Sequence, residues 1–471
     1  MRSDPEKWVP SNIGFGFICE IAYKGSVSSK TQVFQEVRNM ERRMVWLGLA
    51  LLLVVAFNTV GHAASPVAVR VWTFLNPAGT TDREKALKQI ITDFEAANPT
   101  IKIQVEPIPY QELPRQFAAA ASAKNAPDLV WSEVLDSELI KQGMIADMAK
   151  LFEAEKSDFF PDLYNAAGYG ETGKVYGMVL WPSPRNLIFY RKDLVKEAKI
   201  TVPIKKWDDF ITAAQKLTID RDKDGRPDVW GFGLALGSNI TGINPFQTVL
   251  YELQGDLFDV KNRKARYANP NGVNAMTLVT YFVTKYKVTP KEVLSWNEED
   301  KYEQFAAGRI AMIPAYPPRF TSVQAKASGW RPEDLGIMRY PSFKGDKPGI
   351  SFLGGWQVAM WNGSQHKSEA SKFVQALFSK SGTDRWVKIG KQLPARVSAL
   401  KDPFFDDPKN AFLKEQLNGM ESPAPVYIWP GLNLTNSQED YSVAVQRIIL
   451  QGADVMSALK EAEEAFNKRQ R

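Results

Sequence analysis

Between residues 67 and 131 the apolar period switches from two to about 3.6 and back, and this alternation constrains the fold more than any other feature of the chain. Val67, Val69 and Val71 lead into Trp72 as a short strand. Thr81 followed by Glu84 forms a capping box ahead of Leu87, Ile90, Ile91 and Phe94, the apolar stripe of an amphipathic helix. Asn98-Pro99 ends that helix, and Ile101, Ile103 and Val105 alternate as a second strand. A helical stretch around Leu113, Phe117 and Ala121 precedes a third strand at Leu129-Val130-Trp131. Strands alternating with helices imply a mainly parallel sheet covered on both faces, and such sheets bind ligands at the carboxyl ends of their strands. Trp72 to Asn76 and Trp131 to Glu133 occupy those ends.

Upstream, Glu41, Arg42 and Arg43 precede an apolar run from Met44 to Phe57, and the small residues Gly61 and Ala63 suit cleavage after Ala63. This is a signal-peptide layout over 40–63, and the run falls short of the about 20 apolar residues that a bilayer crossing needs. Residues 1–39 carry no clear periodicity and read as a mis-assigned start or an unstructured leader, with Met40 as initiator. The single cysteine, Cys19, lies in that stretch, so the exported chain would hold no disulfide and no lipid-attachment cysteine. A periplasmic, soluble protein is the expectation. The whole chain carries Lys+Arg 59 against Asp+Glu 53, with both signs interspersed, which gives no support for nucleic-acid binding. One core stops growing at roughly 250 to 300 residues, so a chain of this length is expected to form two lobes.

Tyr176 to Tyr190 is apolar but broken by Trp181-Pro182-Ser183-Pro184, which predicts an extended passage between lobes. Helices are predicted at Trp207 to Leu217, Phe246 to Leu253, Gly272 to Tyr286, Tyr302 to Ala307, Tyr441 to Leu450 and Asp454 to Phe466. Buried strands are predicted at Ala311-Met312-Ile313 and Gln357-Val358-Ala359-Met360.

Several short signatures recur in one order: Asp93-Phe94-Glu95 before Asn98-Pro99, Ala126-Pro127-Asp128-Leu129-Val130, Tyr190-Arg191-Lys192-Asp193-Leu194 leading to Trp207-Asp208-Asp209-Phe210, Phe305-Ala306-Ala307-Gly308-Arg309-Ile310-Ala311-Met312, Gly354-Gly355-Trp356 and Pro394-Ala395-Arg396. Each fragment alone is weak, but their order resembles the family 1 extracellular solute-binding proteins, which include maltose- and glycerol-phosphate-binding receptors. Lys199 departs from the pattern where a glycine is usual, and Lys206 where threonine is common. The resemblance implies a periplasmic-binding-protein-like (type II) α/β fold, with 64–180 and 313–360 in an N-terminal lobe, 181–312 and 361–471 in a C-terminal lobe, and several hinge crossings. It also implies the binding subunit of an ABC importer, a monomer that takes a small carbohydrate in the interlobe cleft and docks on a membrane permease.

A sugar presents hydroxyls that need paired donors and acceptors, and C–H faces that favour flat aromatic rings. Trp72, Trp181, Phe246, Tyr316, Trp356 and Trp429 fall near predicted strand ends, Pro/Gly loops or crossings and are the candidate platforms. Glu133, past the third strand, and Arg396, in the Pro-Ala-Arg turn, are the candidate polar partners, because bidentate side chains orient hydroxyl pairs. Each of these has an ordinary alternative as core or surface salt bridge. Trp207, Trp230 and Trp386 read as packing residues.

Asp220, Asp222 and Asp224 ahead of Gly225 have the spacing of a calcium loop, but the twelfth position is Gly231 rather than glutamate, which favours a solvated turn and no cofactor. Downstream of residue 63 there is one histidine, His366, and no cysteine, which removes Ser-His-Asp, Cys-His and His-rich metal chemistry. An exported glycosidase working through paired carboxylates, a carbohydrate-coating module, and a polyol or glycerol phosphodiester ligand are the competing readings.

Overall fold

A computed structural model describes residue 38 and most of residues 65–469; residues 133, 134, 136, 170, 172, 185, 186, 238–241, 260, 348, 351, 352 and 418–433 lie outside the described residues. The chain divides into two units, Met1–Ser65 and Pro66–Arg471, and the fold below is that of the second. The expected signal peptide at 40–63 lies outside the described residues.

The β-α-β-α-β reading of the first stretch holds. β1 (Val67–Thr73) pairs in parallel with β2 (Ile101–Pro107) and with β3 (Leu129–Ser132). Between β1 and β2 runs the helix Asp82–Ala97, whose capping box is formed as expected: the Thr81 side chain accepts from the Glu84 backbone while the Glu84 carboxylate accepts from the Thr81 backbone. The sheet is completed by β4 (Met178–Pro184) and by β10 (Leu353–Met360), which runs antiparallel to both β3 and β4, in the order β2-β1-β3-β10-β4. Trp181 to Pro184, predicted as a passage between lobes, therefore belongs to a strand. The sequence argument from proline fails here because β4 lies at the sheet edge, where missing ladder donors cost nothing on the open side.

A second sheet has the order β8-β5-β9, with β5 (Leu187–Arg191) antiparallel to β8 (Met312–Ala315) and to β9 (Leu335–Arg339). β5 reads with period two: Leu187 and Phe189 enter a core with Phe305, Ile313 and Phe320, while Ile188 and Tyr190 enter the opposite core with Phe210, Phe232, Phe282 and Phe466. β6 (Phe258–Asp259) and β7 (Lys264–Ala265) form a separate short ribbon. All six helices predicted after residue 200 are present; the first of them is Trp207–Lys216 and the last Val455–Arg469. Lys199, at the position where the family pattern carries glycine, has a φ of 53°, so the chain keeps the left-handed turn with a residue less suited to it.

The core contacts redraw the lobe limits. Met312–Ala315, expected in the N-terminal lobe from its second residue on, and Leu335–Arg339, expected there throughout, pair with β5 in the second sheet. The helices Lys367–Phe378 and Lys380–Lys388, expected in the C-terminal lobe, pack on the first sheet through Phe373, Val374, Leu377 and Trp386. Chain passages between the sheets thus fall at 184–187, 339–353 and after Arg396, rather than near Met312 and Met360. Adjacent apolar segments look alike in sequence; which sheet each joins depends on which edge it meets.

Candidate functional site

At the carboxyl end of β1 the chain leaves the sheet at Phe74, and at the same end β4 presents Ser183 and β10 presents Gly355 and Trp356. A bulge between Trp356 and Gln357 breaks the β10–β4 register, which re-aims side chains at the sheet end. Opposite them stand Tyr316 and Pro318 and Arg319, just past β8, with Glu298 and Glu299 from the first turn of the helix Glu298–Ala306. Together with Arg83 and Tyr110 these residues line a cleft of about 650 Å³, counting space open to solvent.

One wall is aromatic. The Trp356 and Phe74 ring centroids lie 4.1 Å apart, and Tyr110 meets Trp356 edge-on at 6.1 Å. Both Trp356 and Phe74 are half-buried, so ring face remains for a ligand. The opposite wall is charged and self-paired. Lys301 Nζ lies 2.7 Å from Glu298 Oε1 and above the rings of Tyr302 and Tyr316. Arg319 donates through both terminal nitrogens to Glu299. Burial works against the Arg319 charge, but Glu299 together with Tyr302, Glu298 and Tyr110 outweighs it and raises the arginine pKa. The Tyr316 hydroxyl accepts from Asn244 Nδ2 at 2.6 Å, and its backbone N–H donates to the Tyr302 hydroxyl at 3.0 Å, so this ring is fixed before any ligand arrives. Burial first, then the nearby Glu299 charge, pushes the Tyr110 pKa up to about 12, which leaves its hydroxyl a neutral donor at physiological pH.

Gly355 is what lets the two strands meet beneath Trp356. Its φ is 157°, and a Cβ there would stand 2.5 Å from the Trp181 carbonyl oxygen and 2.6 Å from Val179 Cγ1. Gly355→Ala is expected to lower stability by about 1 to 3 kcal/mol, the usual cost of one strained backbone position, read as a lower urea midpoint at unchanged slope.

Of the sequence candidates, Tyr316 and Trp356 line the cleft. Trp72 does not; its indole N–H donates to Glu106 Oε2 at 2.7 Å and ties β1 to β2. Trp181 is fully buried in a cluster with Trp131 and Trp386, and Phe246 is fully buried against Tyr267 and Tyr441. Arg396 is 2 % exposed and bound to Glu155 at 2.6 Å, Asp158 at 2.9 Å and the Phe378 carbonyl at 2.6 Å, a clasp inside the first core. Glu133 and Trp429 lie outside the described residues. Sequence reasoning missed Phe74, Arg83, Tyr110, Ser183, Glu298, Glu299 and Arg319. Phe74 was within reach, because it lies inside the strand-end segment Trp72 to Asn76 and follows the last strand residue, Thr73, by one position. Nothing local marks Arg319 or Glu298.

The calcium-like turn brings carboxylate oxygens of Asp220, Asp222 and Asp224 within 4.8 Å of one another. Several of these oxygens accept from the turn itself: Asp220 from the Gly225 N–H, Asp222 from Asp224 and Asp224 from Arg226.

The model of the bacterial extracellular solute-binding proteins matches residues 78–384. The chain belongs to this family. Among relatives of this solute-binding protein, a probable ABC transporter-binding protein of Deinococcus radiodurans is 25% identical over 346 residues, covering 71% of this chain and 77% of the relative. An arabinooligosaccharide-binding protein of Bacillus subtilis is 22% identical over 320 residues, covering 65% of this chain and 70% of its own. A solute-binding protein of Thermotoga lettingae solved with tagatose superposes with a TM-score of 0.72 at 21% identity, covering 86% of this chain and 100% of that one. The resemblance read from the ordered signatures is thereby confirmed, as is the type II periplasmic-binding-protein-like α/β fold that it implied. Among the described residues no helix is long and apolar enough to cross a membrane.

Proposed function

We propose that this solute-binding protein is exported through a signal peptide cleaved near Ala63, works in the periplasm as a monomer, and carries a carbohydrate to the permease of an ABC importer. The observation that supports this reading is the cleft, whose two walls come from two separately cored sheets: aromatic Trp356, Phe74 and Tyr110 on one side, and Tyr316 with ion-paired Glu298, Glu299 and Arg319 on the other. A ligand touching both walls binds the closed arrangement better than the open one, and this differential affinity shifts the population towards closure. Stacked aromatic contacts contribute roughly 0.5 to 1.5 kcal/mol each beyond area burial, and micromolar affinity corresponds to about −8 kcal/mol. Two or three rings with a handful of hydrogen bonds are therefore sufficient.

A relative named as an arabinooligosaccharide-binding protein and a similar structure solved with tagatose favour a sugar here. Binding without chemistry is favoured by the site itself. A glycosidase needs one carboxylate free to act on each side of the scissile bond, whereas Glu298 and Glu299 are neighbours in sequence, each held by a cation. No cofactor enters this reading.

Calorimetry with a panel of mono- and oligosaccharides, combined with product analysis and small-angle scattering, tests it. A one-to-one complex with micromolar affinity, no product and a smaller radius of gyration is expected. Release of shorter saccharides would establish a hydrolase instead, and binding without compaction would point to a static carbohydrate module.

A further inference from the structure

Of the charged side chains that line the cleft, Arg83, Arg319, Glu298 and Glu299, one cation lacks a direct partner. Glu298 is balanced by Lys301 and Glu299 by Arg319. Arg83, in the first turn of the helix Asp82–Ala97, is half-buried, lines the same space, and lies with its guanidinium carbon 5.1 Å from the Phe74 ring centroid. Among the described residues its side chain forms no hydrogen bond or ion pair. The carboxylate beside it in sequence, Glu84, is turned away to accept from the N–H groups of Asn76 and Thr81. Burial, and then the neighbouring Arg319 cation, push the Arg83 pKa down to about 10, so the group keeps its charge at neutral pH while being held where that charge is disfavoured.

A partly desolvated cation facing a second cation across a cleft is an incomplete interaction. Buried charges are ordinarily paired; Glu299 and Glu84 act on this one only at a distance, and no described carboxylate hydrogen-bonds to it. A guanidinium also presents a rigid fork of donors that matches the paired oxygens of a carboxylate or a phosphate. Beside it the Tyr110 hydroxyl, kept protonated, adds a neutral donor.

We propose that the carbohydrate carried by this protein bears an anionic group, a carboxylate or a phosphate ester, bound by Arg83 next to the Phe74–Trp356 wall. This rests on the carbohydrate reading above and narrows it: neutral sugars fill the aromatic wall but leave the Arg83 charge uncompensated. The two sources of the anion share the same recognition chemistry and are separated by the choice of probe.

Calorimetry is run on the wild type, R83Q and R83K with trigalacturonate, glucose 6-phosphate, and the neutral counterparts galactotriose and glucose, at low and high salt. An acidic probe is expected to bind the wild type more tightly than its neutral counterpart and to weaken as salt rises. R83Q should cost about 10- to 100-fold, the range of a lost hydrogen bond to a charged group, with R83K intermediate and neutral sugars unchanged. Equal or tighter binding of the neutral member of a pair, insensitive to R83Q, overturns the proposal and leaves the carbohydrate reading intact. Binding of free phosphate or citrate in an Arg83-dependent way, with no saccharide bound, overturns the carbohydrate reading and keeps the anion. If R83Q does not fold, R83K and the wild-type selectivity within each pair decide.

Discussion

Replacing Trp356 with alanine is expected to weaken carbohydrate binding about 100-fold, the loss typical of a buried aromatic anchor, while Trp356→Phe retains most of the affinity. The prediction follows from where the ring sits. Among the described residues it is the one aromatic paired with both Phe74 and Tyr110, it is only half-buried, and the bulge after it sets its direction. Titration calorimetry at equal folded fraction checks it, with circular dichroism used to confirm that the sheet persists. Wild-type affinity in the alanine variant would move the ligand away from this wall altogether.

The second large effect lies away from the cleft. Arg396→Met should destabilise the protein by about 1 to 3 kcal/mol, since it removes the charge-assisted hydrogen bonds of a buried guanidinium and leaves the Phe378 carbonyl and Asp158 without that donor. The arginine sits over the Phe159 ring with its guanidinium carbon at 4.7 Å and links Glu155 and Asp158 to the end of the helix Lys367–Phe378. Ligand affinity should be unaffected, and this separates the structural role from the ligand contact that the Pro-Ala-Arg turn suggests in sequence.

The same clasp makes a prediction in pH. Burial alone would raise the Asp158 pKa, but hydrogen bonds from Ser398 and Arg396 outweigh it and hold the carboxyl below the usual carboxylate range. A carboxyl depressed in the folded state contributes stability that is fully present above its unfolded pKa, about 3.9, and is lost as pH falls through the lower folded value. The wild type should therefore lose stability below about pH 4, and Asp158→Asn should flatten that part of the acid limb in chemical denaturation series.

Much of the first sheet was legible because its signals are local. Alternating valines, a Thr-Glu pair at capping distance and an Asn-Pro stop each specify geometry within a few residues, and β1, the helix Asp82–Ala97 and β2 follow them. The ligand site was less legible. Trp181 and Phe246 look like platforms in sequence because aromatic rings beside prolines and strand ends occur in clefts and in cores alike; only the packing of Trp131 and Trp386, or of Tyr267 and Tyr441, around them settles which.

What the sequence by itself determined is the class of the protein: ordered signatures of a solute-binding family, an α/β fold, and a stretch downstream of residue 63 with one histidine and no cysteine, which argues against Cys-His and His-rich metal chemistry. The tertiary structure decided which sheet each later strand joins, and which side chains share the cleft. Arg83 and Arg319 are separated by more than two hundred positions, yet both line one space. Long-range pairing of this kind depends on edges and cavities that exist only once both cores have formed, and no local period encodes it.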